Sequence, residues 1–408
     1  MNFCSRLCFP AALMVMLGLL LAGCGGGGTS GAPIPAIVPV GLNEHRVYVD
    51  AGPAGTGYNA NRLYTDVTIC QPGNPANCQT IAHVLVDTGS TGLRILSNLL
   101  SPTLALRTLS APGGQPLLGC VQFVDNSFAW GPLALADVKL GAKAANNLPV
   151  QLIADPAYRN LASNCSSGTE ITVPDTLGAN GILGIGLFKE DCGATCESNP
   201  LNGSYYTCTS SSCATARGTT APRNQQTQNP IPLFASDNNG VAIELPAVGT
   251  APAPGLSGKM VFGIGSRPNT LPDPGRVMAA DSRGNITTRF EGRNLARSFI
   301  DSGSNGLYFD TANLPLCAGA SGFYCPPGLT SLTATMIGSN NTSIAVAFNV
   351  DHAVNSFAGS NPVLPNLAGT FGTAASFDWG LPFFYGRKVF FGIEGMPSSV
   401  GTGPFYAF

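Results

Sequence analysis

The sequence predicts an all-β protein built as two lobes. Only a tenth of the 408 residues are charged, whereas glycine (51) and proline (32) are abundant. The apolar stretches are short, rich in β-branched or aromatic side chains, and bounded by turn residues, which is the pattern of strands. The length exceeds that of one typical domain and suits two lobes of roughly 150–180 residues each. We therefore expect an N-terminal β lobe over residues 43–228 and a C-terminal β lobe over residues 229–408.

The N-terminus reads as an export signal followed by a tether. Arg6 precedes an apolar stretch that is short for a membrane span, and small residues follow it. The segment Leu21-Ala-Gly-Cys24 resembles the lipobox of bacterial lipoproteins, which implies cleavage before Cys24 and lipid attachment to its thiol. An ordinary cleaved signal peptide is the alternative. We expect residues 1–24 to be the signal peptide and the Gly/Pro-rich residues 25–42 to form a flexible tether.

The remaining cysteines indicate disulfides. Without Cys4, Cys8 and Cys24, an even number remains, which in an oxidising compartment favours disulfide bonds. Two pairs follow from short loops: Cys70 with Cys78, and Cys317 with Cys325. The cluster between residues 192 and 213 could also suit zinc, but export favours disulfides there, with connectivity left open. The ten disulfide candidates are Cys70, Cys78, Cys120, Cys165, Cys192, Cys196, Cys208, Cys213, Cys317 and Cys325.

The strand pattern is clearest around two acidic residues. Two strands, over residues 61–70 and 80–86, flank a turn, and the second ends on Asp87; Phe299-Ile300 likewise leads to Asp301. Residues 119–140 predict a hairpin with Asp125-Asn126-Ser127 near its tip. Further strand character is found in residues 180–186, 258–263, 377–384 and 389–393, whereas residues 199–228 predict a long loop or insertion.

Each acid begins one copy of a nine-residue motif. The copies are Asp87-Thr-Gly-Ser-Thr-Gly-Leu-Arg-Ile95 and Asp301-Ser-Gly-Ser-Asn-Gly-Leu-Tyr-Phe309. One such motif is most often a plain turn, but two copies, each after an apolar strand, indicate a paired site. Two carboxyl groups about 3 Å apart cannot both ionise, so they share a proton and offer an acid and a base together.

The residues around the acids suit that chemistry. Gly89 and Gly303 leave room for the carboxylates and turn the backbone N–H groups toward them. Ser90 and Ser304 offer hydroxyl donors to the outer carboxylate oxygens. Thr88 and Ser302 could brace one loop against the other.

These motifs resemble those of the pepsin-like aspartic proteases over most of the chain after Asn61, and most closely a bacterial, lipoprotein-type and uncharacterised branch of that family. The resemblance implies a bilobed fold with an active-site cleft between two β lobes. It implies that Asp87 and Asp301 are the catalytic acids, with the six neighbours just described as their support. Ile182-Leu-Gly184 and Trp379-Gly380 resemble the segments that cross behind the two acids.

The sequence departs from that family at three positions. Family members usually pair a flap tyrosine with a tryptophan just after the first motif, but here Arg94 holds the tryptophan position. The flap candidate, Phe123, has no hydroxyl; Asn126 and Ser127 are the other flap or substrate candidates. Leu381 stands where acid-adapted members often have Asp. We therefore predict a dyad less suited to extreme acid, and a cleavage optimum below about pH 3 would contradict this.

Other chemistries find little support in the sequence. The net charge of −2, without a Lys/Arg run in the body, argues against a nucleic-acid partner. The three histidines, His45, His83 and His352, lack metal or nucleophile spacing, and we expect them to be structural. Trp130, Trp379 and the phenylalanines near the C-terminus are expected in the core. We expect no cofactor and no metal.

The resulting prediction is a monomeric, lipid-anchored endopeptidase of the bacterial cell envelope that faces the periplasm or the exterior. Its partners would be a peptide or protein substrate and, through the N-terminal lipid only, a membrane. The alternative is a catalytically silent or highly restricted pepsin-fold protein that binds peptide, glycan or an envelope partner. Intact Asp, Gly and Ser residues at both motifs favour the enzyme, whereas the altered flap favours the alternative.

Overall fold

A computed structural model describes residues 36–162, 164–209 and 215–408, and strands dominate it, which confirms the predicted all-β class. In chain order, the strands are β1 Glu44–Val49, β2 Tyr64–Cys70, β3 Cys78–Asp87, β4 Thr91–Leu96, β5 Arg107–Thr108, β6 Leu117–Gln122, β7 Ser127–Leu140, β8 Lys143–Ile153, β9 Thr169–Glu170, β10 Gly181–Ile185, β11 Tyr205–Cys208, β12 Ala216–Gly218, β13 Gly240–Glu244, β14 Leu256–Phe262, β15 Met278–Ala279, β16 Ile286–Phe290, β17 Arg293–Ile300, β18 Leu307–Phe309, β19 Thr330–Ile337, β20 Ser343–Val350, β21 Ala368–Gly369, β22 Phe377–Trp379, β23 Lys388–Gly392, β24 Pro397–Ser398, β25 Gly401–Thr402 and β26 Phe405–Ala407. The short helices are α1 Pro174–Leu177, α2 Ala194–Ser198 and α3 Ala353–Phe357.

One antiparallel sheet joins the two ends of the described chain. β1 pairs with β14, β14 with β13, β13 with β23, β23 with β26, and β26 with β15. Strands β13, β14 and β23 are largely buried, because apolar side chains line both of their faces. The sheet therefore crosses the expected boundary between residues 228 and 229.

The first half contains four strands around Asp87. β10 lies between β3, to which it is parallel, and β4, to which it is antiparallel. β4 pairs in turn with β8 in parallel. The hairpin predicted ahead of Asp87 is present as β2 and β3, with Cys70 opposite Cys78. A buried strand thus passes directly behind the first acid.

The second half repeats this four-strand arrangement around Asp301. β22 lies parallel to β17 and antiparallel to β18, and β18 pairs in parallel with β21. β16, β19 and β20 extend the sheet by antiparallel pairing. The duplicated motif of the sequence thus corresponds to a duplicated strand topology.

The prediction of a long loop over residues 199–228 is wrong in part, because this segment contains strands β11 and β12. β11 pairs with β6 of the predicted hairpin, and all four of its residues are buried. Tyr206 packs edge-on against Trp130 of β7, with ring centroids 5.4 Å apart. The tyrosines supply the apolar surface that holds this polar segment against the hairpin.

Disulfides are present as predicted. The short-loop pairs Cys70–Cys78 and Cys317–Cys325 are confirmed. Cys120 bonds Cys165, and Cys192 bonds Cys196. Cys208 is disulfide-bonded as well. Cys213 and Cys24 lie outside the described residues, as do the signal peptide and residues 25–35 of the tether.

The aromatic side chains form core, as expected. Trp130, Trp379, Phe383, Phe384 and Phe391 are all at most 2% exposed. Phe377 stacks on Trp379, with ring centroids 4.1 Å apart. Within the described ranges, the helices are all too short or too polar to cross a membrane.

Candidate active site

The two predicted acids lie at equivalent ends of strands and meet at one point. Asp87 is the last residue of β3, and Asp301 directly follows β17. A tight turn then leads into β4 in the first half and β18 in the second. Each acid is 7% exposed. The apolar strands before each acid thus deliver two charged residues into a largely buried place.

A single backbone N–H group joins the two carboxylates. The N–H of Gly89 donates to Oδ1 of Asp87 at 2.8 Å and to Oδ1 of Asp301 at 3.0 Å. These two oxygens cannot lie further apart than the sum of those distances. The two carboxylates therefore lie within the range at which one carboxylate disfavours the ionisation of the other.

The two loops place equivalent donors on equivalent oxygens. Gly303 N–H donates to Asp301 Oδ1 at 2.8 Å, as Gly89 does to Asp87. Ser304 Oγ donates to Asp301 Oδ2 at 2.8 Å, and Ser90 Oγ donates to Asp87 Oδ2. Each acid thus has an inner oxygen facing the backbone donors and an outer oxygen held by a serine.

Thr88 and Ser302 fasten the loops to each other. Ser302 N–H donates to Thr88 Oγ1 at 2.9 Å, and Thr88 N–H donates to Ser302 Oγ at 3.2 Å. Each hydroxyl also donates across the pair, Thr88 to Ile300 O and Ser302 to Val86 O. Because these groups are buried, the four bonds hold the separation of the acids without help from water.

Close approach explains the two glycines. A Cβ atom on Gly303 would lie 2.7 Å from Asp87 Oδ1, and one on Gly89 would lie 2.8 Å from Asp301 Cγ. Carbon and oxygen atoms do not approach so closely without a bond. Each loop therefore needs a glycine, because any side chain at that position would collide with the carboxylate of the opposite loop.

The burial of the two acids affects their titration. Burial, and after it the charge of Asp87, raises the pKa of Asp301 to about 8. Burial disfavours the charged form, and a second carboxylate nearby disfavours it further. This titration belongs to the pair and not to one residue. The two carboxyls therefore still hold one proton between them at pH values well above the usual pKa of an aspartic acid.

The hairpin of β6 and β7 carries the predicted flap residues at its tip. Phe123 N–H donates to Ser127 O at 2.8 Å, and Asn126 adopts a left-handed conformation (φ 66°). Ser127 N–H and Oγ both donate to Asp125 Oδ1. Asn126 and Ser127 therefore build the turn, and Val124 is an exposed apolar side chain at the tip.

The base of the flap hairpin packs into the first half of the chain. Phe123 packs against a small apolar cluster that includes Leu96 and Ile153. The base of the hairpin is held by β11 and by the Cys120–Cys165 disulfide.

Arg94 is directed away from the tip, toward the insertion. It is 1% exposed and donates to Gln151 Oε1, Thr91 O and Asp191 Oδ2 at 3.1, 2.7 and 3.1 Å. Asp191 also accepts from the Tyr205 hydroxyl at 2.6 Å. A buried ion pair thus joins β4 to Asp191, which in turn accepts a hydrogen bond from Tyr205 of β11.

Two residues near the acids were missed by sequence reasoning. Asn61 Nδ2 donates to Asn305 O at 2.8 Å and so braces the second acid loop from the first half of the chain. Asp378 lies on β22, directly behind Asp301, and is 1% exposed. A charged residue inside the apolar run from Phe377 to Phe384 was the available signal for Asp378. For Asn61 no signal in the sequence exists, because its partners are far away along the chain.

The arrangement can act as a paired acid and base. One carboxyl that keeps its proton can donate a hydrogen bond, while its ionised partner can accept a proton from a water molecule. Serine hydroxyls hold the outer carboxylate oxygens, and backbone N–H groups hold the inner ones. Neither carboxyl therefore has to change its position during proton transfer.

Residues 39–408 match the family described as "Protein of unknown function (DUF3443)", and the chain belongs to that family. No curated protein matches the chain.

Proposed function

We propose that this member of the DUF3443 family is an exported aspartic endopeptidase with a bilobed, pepsin-like architecture. The observation that carries the proposal is the Gly89 N–H group, which donates to the carboxylates of both Asp87 and Asp301. Two acids so close, each with its own serine donor, suit a shared proton.

In the proposed reaction, a water molecule lies between the two carboxyls. The ionised carboxyl takes a proton from this water as its oxygen attacks the scissile carbonyl carbon, while the protonated carboxyl donates a hydrogen bond to the carbonyl oxygen. The tetrahedral intermediate then collapses as the C–N bond breaks and the leaving nitrogen receives the proton that the first carboxyl took from the water, which restores the singly protonated pair. No covalent bond to the protein forms at any step.

The strand topology supports the bilobed architecture. The same four-strand arrangement surrounds each acid, and one antiparallel sheet joins strands from both halves. An extended peptide would lie across the acids beneath the tip of the β6–β7 hairpin.

The altered flap suggests a narrow substrate range. Phe123 cannot offer a hydroxyl to a substrate or to a partner, and Arg94 is engaged with Asp191. The tip thus offers apolar contacts through Phe123 and Val124. We expect extended peptides with apolar side chains beside the cleaved bond to be preferred, as the resemblance implies.

The deciding experiment is cleavage of a peptide library by the full-length protein, purified in mild detergent, at several pH values. Asp87→Asn and Asp301→Asn should each abolish cleavage, since neither variant retains a pair that can be singly ionised. Asp155→Asn is the matched control, because asparagine can keep the cap that Asp155 forms with Ala157 N–H at 2.9 Å.

Cleavage that survives both dyad substitutions would refute the peptidase proposal. Peptide binding without cleavage, measured on the same library, would instead support the silent pepsin-fold protein.

The location is a proposal of the same kind. Disulfides persist in oxidising compartments, and this chain has four described pairs. Export with a lipid on Cys24 would hold the protein at the cell envelope. Incorporation of labelled palmitate that is lost in Cys24→Ser tests the anchor, and unchanged labelling would contradict it.

A further inference from the structure

The sheet of the second half has a free edge. β20 is the last strand of this sheet and, among the described residues, pairs only with β19. It is eight residues long and contains neither a charged residue nor a proline. Sheet edges usually have charges, prolines or bulges that prevent pairing with another chain, whereas the register of β20 is unbroken. The edge of β20 is therefore open to an additional strand.

The turn between β19 and β20 shows which backbone groups face outward. Gly338 N–H donates to Thr342 O at 2.9 Å and closes this turn. Along an antiparallel ladder, hydrogen-bonded pairs alternate with pairs that are not hydrogen-bonded. Ala345, Ala347 and Asn349 therefore direct their N–H and C=O groups away from β19.

The chain itself uses this side of the edge just beyond β20. Asp351 N–H donates to Asn366 O at 3.0 Å, on the side that the alternation requires. In the described part of the chain, the outward backbone groups of Ala345, Ala347 and Asn349 have no hydrogen-bond partner of this kind. A further strand at the usual spacing of about 4.8 Å would satisfy them.

The first half of the chain shows that a hairpin edge in this protein binds an extended segment. β6 of the β6–β7 hairpin pairs on its outer side with β11, over Leu117 to Gly119. No described strand covers β20 in the same way. The second half thus has an edge that the first half fills from its own insertion.

A cavity lies directly beside the edge of β20. Its volume is about 220 Å³, and β20 lines it with Val346 to Asn349. Its buried lining includes Leu307, Trp379 and Phe383, whereas residues 249–250 at its rim are exposed. Cavities of ~150 Å³ with apolar walls bind a molecule of the size of benzene. The space therefore suits one large apolar side chain.

The pleat of β20 directs the side chains of an added strand toward this cavity. Val346 and Phe348 alternate with the exposed Ala347 and lie on the core face of the sheet. Phe348 packs edge-on against Trp379, with ring centroids 5.5 Å apart. Side chains directly opposite each other on neighbouring strands share a face. A residue opposite Val346 or Phe348 would therefore project into the cavity.

Arg387 gives the cavity a positive charge. It is the only charged side chain among the described residues that line the cavity. Its guanidinium donates to Phe383 O at 2.6 Å and lies over the Phe383 ring, 4.7 Å from the centroid. It forms no ion pair with a described carboxylate. The planar fork of a guanidinium matches a carboxylate, so the charge favours an acidic ligand.

We propose that the edge of β20 is a second peptide-binding site, which takes an extended segment of another polypeptide by strand addition. One apolar side chain of this segment enters the cavity, and an Asp or Glu of the same segment pairs with Arg387. A second copy of this chain fits less well, because β20 contains no acid and the cavity is positive in both copies. The inference goes beyond the peptidase proposal and does not depend on it.

The probe for this site is a fluorescein-labelled, C-terminally amidated peptide of alternating threonine and valine that ends in glutamate. Matched probes end in glutamine or lysine. They are titrated against the full-length protein in mild detergent with Asp301→Asn, so that the proposed peptidase leaves them intact. Fluorescence anisotropy should show about 10-fold tighter binding of the glutamate probe than of the glutamine probe, and the weakest binding for lysine. Equal affinities for the three probes would overturn the proposal.

Two positions test the edge and the charge separately. Ala347→Pro removes an outward N–H group but no bond to β19, and it should abolish binding, whereas Ala347→Thr keeps the N–H group and should bind. Arg387→Gln should remove the preference for glutamate over glutamine, and Arg387→Glu should reverse it in favour of lysine. The Arg387 variants keep the test decisive if Ala347→Pro does not fold. Hydrogen exchange of residues 343–350 should slow when the glutamate probe binds.

Binding that survives in folded Ala347→Pro, or exchange that slows only in the β6–β7 hairpin, would place the probe elsewhere and overturn the proposal. So would the absence of binding. A dimer in sedimentation that Ala347→Pro dissociates would also overturn it, since a second copy would then occupy the edge. Cleavage by the wild type is measured separately, so the failure of this site leaves the peptidase proposal to its own test.

Discussion

The two acid loops hold their carboxylates in the same way, but the pair of residues packed behind each loop differs. Both loops have a glycine N–H on the inner oxygen, a serine hydroxyl on the outer oxygen and a hydroxyl that braces the opposite loop. Behind the first loop lie Ile182 and the ion-paired Arg94. Behind the second lie Asp378 and Tyr308, with no cation among them.

This difference shows that one set of residues fixes the positions of the two carboxyls and another set determines the charges around them. The shared loop residues define where the carboxyls lie. The pair behind each loop differs in chemistry: an apolar side chain and an ion-paired guanidinium lie in the first half, and a carboxyl and a phenol lie in the second.

The largest expected effect concerns the ion pair behind the first loop. Asp191→Ala leaves the Arg94 guanidinium buried without a counter-charge, which should cost about 3–5 kcal/mol of unfolding free energy. Tyr308 holds the position in the second half that Arg94 holds in the first, and Tyr308→Phe, which removes one hydroxyl hydrogen-bonded to Asn305, should cost about 1 kcal/mol. Urea unfolding of the two oxidised variants measures both values.

A double variant separates lost charge from lost packing. Asp191→Leu combined with Arg94→Met should recover much of the loss, because no buried charge then remains. Equal costs for Asp191→Ala and Tyr308→Phe would show that the two halves do not differ as described.

The next effect tests whether the loops are equivalent. Gly89→Ala and Gly303→Ala each push a methyl group into the opposite carboxylate, and a displacement of about 1 Å should lower cleavage about 100-fold. Gly328→Ala is the control, since its added Cβ atom would meet no atom within 4 Å. Cleavage rates on one peptide measure the effect. Full activity in either loop variant would mean that its acid is free to move.

The smallest effect concerns the brace between the loops. Ser302→Ala removes the acceptor of Thr88 N–H and the donor to Val86 O, so the unfolding free energy should fall by about 1–3 kcal/mol. Thr88→Ala should cost a similar amount, whereas Thr88→Ser keeps the hydroxyl and should cost less. A large difference between Ser302→Ala and Thr88→Ala in unfolding free energy would show that the two loops do not contribute equally to the brace.

Local parts of the fold were predictable from the sequence because their causes are local. The strands that end at Asp87 and Asp301, the Cys70–Cys78 hairpin and the turn at residues 125–127 depend on neighbouring side chains. The insertion could not be predicted in the same way. Its strand β11 exists because β6 offers it a hydrogen-bonding edge, and that pairing joins residues almost ninety positions apart.

The candidate site shows the same division. The repeated motif indicated which acids, glycines and hydroxyls belong together. It did not indicate that Arg94 binds Asp191, or that Asn61 holds the second loop at Asn305. A single sequence contains no sign of which distant side chain satisfies a buried polar group.

The sequence by itself determined the β class, two equivalent acidic turns and the pairing of two disulfides in short loops. These follow from residue types and short spacings, which act over a few positions of the chain. Only the tertiary structure decided that one N–H group joins both carboxylates and that Oδ1 of Asp378 is buried without a hydrogen-bond partner. Protonation depends on burial and on charges within a few ångströms, and those distances arise only when the strands of the two halves have packed together.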